Sequence, residues 1–142
     1  YLMDIAKIRY KNLKYLLYGE FCRSPEINSP MEKIDISRLS IYVGRKGNSV
    51  TTFEKEVPVL YSGTWKSEDN SLGIAMASIS NDSIPVDFSF KSDDYGLSSN
   101  GEVYIITNKG KDLLNSYTEG LVNVKFLLEG RGLCVLEIVP MD

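Results

Sequence analysis

The chain has 142 residues, with 16 Lys and Arg against 19 Asp and Glu and 43% hydrophobic residues, the proportions of one soluble globular domain able to bury its own core. Its formal net charge is −3 and its lysines are scattered among carboxylates, so it lacks an electrostatic footprint for nucleic acid; no apolar run approaches the ~20 residues of a membrane span. The absence of histidine excludes Ser-His-Asp and Cys-His catalytic sets and every His-containing zinc site, and two cysteines, Cys22 and Cys134, are too few for a thiolate zinc site.

The sequence begins at Tyr1, already inside a helical pattern and without an initiator methionine, which is expected of a processed or excised piece; any export signal of a parent would lie outside it. Leu2, Ile5, Ala6, Arg9, Leu13, Leu16 and Leu17 recur at helical spacing, with Lys7, Lys11, Asn12 and Lys14 on the polar side, and predict an amphipathic helix of about four turns over residues 2–17. A basic amphipathic helix also suits a membrane surface or a calmodulin-like partner, but docking on its own protein is the commoner use and is the expectation here. Gly19 is placed to end the helix, and residues 20–23 then read as extended.

Residues 28–32 read as loop. Ile34, Ile36, Leu39, Ile41 and Val43 are spaced for one or two short strands, and Gly44, Lys46 and Gly47 mark a turn. Residues 51–56 form a short β-prone run whose charges, Glu54, Lys55 and Glu56, suit an edge strand. The strongest β signal follows. Val57, Val59, Tyr61, Gly63 and Trp65 alternate with Pro58, Leu60, Ser62, Thr64 and Lys66; after a polar break at 67–71, the aliphatic run 72–79 suits the middle of a sheet. These two runs predict a hairpin at the centre of the fold.

Ile84, Val86, Phe88 and Phe90 alternate with polar residues, as in a strand with one wet face. Residues 92–100 read as a polar loop anchored by Tyr95 and Leu97, 103–107 as a strand, and 109–120 as loop with at most a turn. Val122, Val124, Phe126 and Leu128 alternate again; residues 129–132 turn the chain, and 133–139 return with Cys134, Leu136 and Ile138 on one face and Val135 and Glu137 on the other. The expected fold is mainly β: an antiparallel β-sandwich of about 8 strands with one N-terminal α-helix. The helical part is residues 1–19 and the sandwich 20–142. Cys22 and Cys134 then stand as two separate buried thiols or as a disulfide joining the first strand to the last.

No group of residues declares a reaction. Asp93 with Asp94, and Glu68 with Asp69, are paired carboxylates of the kind glycoside hydrolysis uses, but each pair sits in a polar turn that needs no chemistry to explain it. Asp69 with Asn70, and Asp82 with Asn81, lack the dense oxygen ligands and closing Glu of a calcium loop. Gly44, Gly47, Gly130 and Gly132 are turn glycines, with no GK[ST] and no strand, turn and helix order around them. No catalytic, metal or cofactor-binding residue is assigned. Trp65, Tyr61 and Tyr95 are the candidate glycan or interdomain contacts, since aromatic faces suit sugar rings, although the phase of Trp65 with Val57 and Val59 favours packing.

The run YLLYGEFCRSPEI, the segment PVLYSGTWKSEDNSLGIAMASISNDSIPVDFSF and the ending EGRGLCVLEIVP together resemble the C-terminal, all-β domain of a bacterial glycoside-hydrolase-like (β/α)₈-barrel protein. The resemblance implies that residues 2–18 correspond to the last barrel helix, 20–23 to the first sandwich strand and 131–139 to the closing strand. A barrel needs about 250 residues, so the implied catalytic carboxylates lie outside this chain and none carries over to it. The expected function is that of a non-catalytic accessory domain buttressing the catalytic barrel of the same parent, itself expected to be exported to the periplasm or cell surface. The alternative is a carbohydrate-binding module that contacts glycan through surface aromatics.

Overall fold

A computed structural model describes residues 1–39 and 50–142, with side chains described outside 36–53. The chain folds mainly as antiparallel β-structure behind an N-terminal helix. Among the described residues, helix α1 (Leu2–Lys11) and a one-turn α2 (Leu13–Leu16) precede ten strands, against the roughly 8 expected: β1 (Glu20–Cys22), β2 (Met31–Leu39), β3 (Val50–Pro58), β4 (Leu60–Lys66), β5 (Leu72–Ser78), β6 (Ile84–Lys91), β7 (Asn100–Ile106), β8 (Lys111–Tyr117), β9 (Leu121–Leu128) and β10 (Leu133–Met141). Six strands form the central sheet in the order β1-β4-β5-β10-β7-β8, while β2 pairs with β3 and β6 with β9 as separate ribbons.

The layers follow from alternation. On β5 and β10, Leu72, Ile74, Met76, Cys134, Leu136 and Ile138 point to one side of the sheet, where they meet Val86, Phe88, Phe90, Val122 and Val124 of the β6–β9 ribbon in the main core. The strict burial alternation of β6 matches its sequence pattern, since its outer face meets only water. The opposite side of the sheet receives the helices: Ile8 and Tyr15 pack on Val135 and Ile106, with Leu16, Trp65, Ala75 and Leu133 at their margin. The predicted β4–β5 hairpin is present, with Tyr61 opposite Ala77 and Trp65 opposite Gly73, and β5 lies inside the sheet as its aliphatic run requires.

Several expectations are corrected. The helix is interrupted at Asn12, whose amide N–H bonds back to Arg9 O (3.1 Å) while its side-chain Nδ2 donates to Ile8 O (2.8 Å), replacing the α-helical bond at that point. Its buried stripe is Ile8, Asn12 and Tyr15, spaced i, i+4, i+7, and not the expected Leu2, Ile5 and Leu17, which are exposed. Gly19 is not a left-handed cap; a Cβ there would sit 2.6 Å from Tyr15 O and 3.1 Å from Trp65 Cβ, so it serves the close approach of the chain to β4.

Residues expected as loop form β8, which pairs only with β7 at the edge of the sheet; the one-sided environment and the register shift at Val103/Tyr104 blur its alternation. The expected β9–β10 hairpin is replaced by a crossing between layers: β9 pairs with β6, whereas β10 lies between β5 and β7. Met31 and Glu32, read as loop, begin β2. Ile41, Val43 and the turn at Gly44, Lys46 and Gly47 lie outside the described residues. Cys22 and Cys134 are both free thiols, and burial pushes the Cys134 pKa up to about 12. Among the described residues no helix is long and apolar enough to cross a membrane.

Candidate functional site

The helix side of the sheet is where packing is incomplete. Its strand positions are small over β4 and β5, namely Gly63, Gly73, Ala75 and Ala77, so the helices approach closely. A Cβ on Gly73 would fall 2.4 Å from Tyr15 Cγ; the tyrosine ring occupies the place of that side chain. Tyr15, wholly buried, extends its hydroxyl between Glu137 Oε2 (2.6 Å) and Ser71 Oγ (2.7 Å).

Glu137 is the centre of a polar network. It is 3% exposed in the middle of β10, where a lone carboxylate would be costly without partners. Lys14 Nζ lies 2.8 Å from its Oε2, Lys111 pairs with its Oε1, and Lys14 also reaches Asp69 Oδ2 at 3.0 Å. Burial pushes the Glu137 pKa up, but hydrogen bonds from Lys111, Lys14 and Tyr15 outweigh it and hold the carboxyl below its ordinary 4.5. The same balance acts on Asp69, where burial is overcome by the Ser71 hydroxyl and amide and by Lys14, leaving it below 3.8. Burial and the Glu137 acceptor both raise the Tyr15 hydroxyl above its ordinary 10.0. The cluster joins α2, the β4–β5 turn, β8 and β10, and acts as a polar lock fastening the helices to the sheet.

A second fastening lies on the far flank of α1, where Lys11 Nζ donates to Thr107 O (3.2 Å) and Asn108 O (3.0 Å) and Asn108 Nδ2 donates to Asp4 Oδ1 (2.8 Å). Between these fastenings and the β4 edge, α1 leaves an apolar groove of about 510 Å³ lined by Ile5, Leu16, Tyr61, Trp65, Ala75 and Val135, among others. Trp65 lies back along its strand over Gly63, whose added Cβ would meet the indole Cη2 at 2.6 Å, and its cross-strand partner Phe21 meets it edge-on with centroids 5.4 Å apart and planes at 66°. No family model matches this chain, and no curated protein matches it as a relative. Away from the groove, the helical segment exposes Leu2, Met3, Tyr10, Leu17 and Tyr18, each by more than half of its surface.

The structure therefore brings two of the three sequence candidates together and separates the third. Trp65 is partly buried and Tyr61 is 47% exposed in the same groove. Tyr95 belongs to the opposite side of the sheet, edge-on to Phe90 at 5.3 Å, with its hydroxyl donating to Arg23 O at 2.8 Å. Asp93 and Asp94 lie in a single 3₁₀ turn (Ser92–Tyr95) and Asp69 belongs to the lock, so neither loop pair forms a convergent acid pair. Among the described residues no cluster of Cys, Asp and Glu is arranged to hold a metal ion. Sequence reasoning missed Tyr15 and Glu137. The available signal was Glu137 itself, a single carboxylate inside the apolar strand LCVLEIV, which demands buried cations or donors around it.

Proposed function

We propose that this chain is a non-catalytic accessory domain that packs against the catalytic barrel of a carbohydrate-active parent and stabilises it. The observation that carries the reading is the outward side of the helical segment: Leu2, Met3, Tyr10, Leu17 and Tyr18 are 53–79% exposed, although the segment is hydrogen-bonded to the sheet below it. A helix that buries only Ile8 in α1 against its own sheet and presents large apolar residues on the other side is suited to lie between two bodies. The polar cluster around the buried Tyr15 and Glu137 is spent on fixing that helix, which accords with a structural role for it.

The rival reading, a carbohydrate-binding module, draws on the pairing of Tyr61 and Trp65 in one groove. Against it stand the 66° inclination of Phe21 to Trp65, unlike a coplanar sugar platform, and the distant position of Tyr95. The test is the triple substitution Leu2→Ser, Tyr10→Ser and Leu17→Ser. In the isolated chain it leaves the melting temperature within a few degrees; in the full-length parent it lowers the melting temperature of the barrel and, with it, glycosidase activity after heating. An unchanged parent, or Trp65-dependent binding of the isolated chain to a polysaccharide panel, would overturn the buttress reading.

A further inference from the structure

The groove beside Trp65 is separate from the outward set, since Leu2, Met3, Tyr10, Leu17 and Tyr18 do not line it. Its volume of about 510 Å³ falls within the roughly 300–1,000 Å³ of small-molecule sites. Its composition is selective. The floor is Gly63, Ala75 and Ala77 and the walls are aliphatic and aromatic; side-chain hydroxyls are limited to Ser62 and Tyr61. A glycan requires hydrogen-bond partners along its whole length, and this surface supplies too few to replace the water it would lose.

Among the described residues, one charged residue lines the groove. Arg9 projects from α1 at its margin, exposed, and makes neither an ion pair nor a side-chain hydrogen bond among the described residues. Lys11, by contrast, is committed to Thr107 and Asn108 and Lys14 to Asp69 and Glu137, while Lys7 does not line the groove. An apolar trough lined by one guanidinium that has no partner among the described residues is complementary to a molecule with a hydrocarbon body and a single carboxylate, which a planar, five-donor fork binds in bidentate fashion. We propose that this groove binds a medium-chain alkyl carboxylate, its chain laid against Trp65 and the alanine floor and its carboxylate on Arg9.

The chain has one tryptophan, and it lines the site, so its own emission reports occupancy. The isolated 142-residue chain is titrated with sodium decanoate below its micellar concentration, with sodium hexanoate and with 1-decanol. The expected result is a saturable emission change with decanoate, weakened at least about tenfold for hexanoate because each buried methylene strengthens binding by up to roughly fourfold. Arg9→Gln, at an exposed position that leaves folding intact, weakens decanoate by about tenfold and leaves 1-decanol unchanged. Absence of a saturable response to decanoate, equal decanoate affinity in Arg9→Gln, or a response to cellohexaose in place of decanoate would each overturn the proposal.

Discussion

On the ribbon side of the central sheet, Leu72, Ile74, Leu136 and Ile138 are wholly buried against a matching apolar face; on the helix side, the intervening positions are Gly73, Ala75, Val135 and Glu137. The same two strands supply both sets. One side is closed mainly by side-chain volume, with the buried Thr64 hydroxyl donating to Ser24 Oγ at 3.0 Å. The other is thin, and is closed by an inserted tyrosine ring and a charged lock, leaving a groove where the helix does not reach. The contrast teaches that a sheet can keep its stability on one face while holding the other available for contacts.

The sharpest way to break the contrast is to remove volume from the ribbon side. Leu136→Ala leaves a cavity in a wholly buried site and is expected to cost about 2–5 kcal/mol, read as a lower midpoint in urea with the slope unchanged; a loss under half a kcal/mol would show that the two faces do not differ as described. The lock comes next. Tyr15→Phe deletes the hydroxyl between Ser71 and Glu137 and is expected to cost about 1–3 kcal/mol, while Glu137 keeps both lysines.

The lock also gives the helix side a dependence on acid pH; on the ribbon side, burial raises Cys134 and Tyr117, groups that titrate only in the alkaline range. The folded-state pKa values of Glu137 and Asp69 lie below 4.5 and 3.8, so their contribution is fully present above those values and is lost as pH falls through the lower folded ones. Lys14 and Tyr15 are raised above 10.5 and 10.0, so their contribution is present below those values and is lost as pH rises past them. Glu137→Gln is therefore expected to flatten the acid limb of a melting-temperature profile, whereas Leu136→Ala shifts the whole profile down without changing its shape. The smallest effect belongs to the outward residues: Tyr10→Ser in the isolated chain is expected to change stability by no more than about 0.5 kcal/mol, since its side chain is 78% exposed.

Much of the β-architecture was legible because period-2 alternation is a local signal. The strand at 84–91, the β4–β5 hairpin and the two faces of 133–139 could all be read from neighbouring residues, since a half-buried strand writes its environment into every second position. Strand β8 was not legible, because an edge position beside a bulge imposes little alternation. The candidate site was half legible. Trp65 and Tyr61 stood out as aromatic residues in phase on one strand, but Tyr95 shares their chemistry and not their location.

By itself, then, the sequence determined the mainly β class, the N-terminal helix, the core residues of the ribbon side and the exclusion of histidine chemistry, all of which follow from composition and short-range periodicity. Only the tertiary structure decided which stripe of the helix is buried, that β9 and β10 part into different layers, and that Tyr15, Ser71, Lys111 and Glu137 converge. The reason is physical: these outcomes depend on contacts between residues up to 122 positions apart, such as Tyr15 with Glu137, and a local pattern records that a residue is apolar or charged without recording what will stand opposite it.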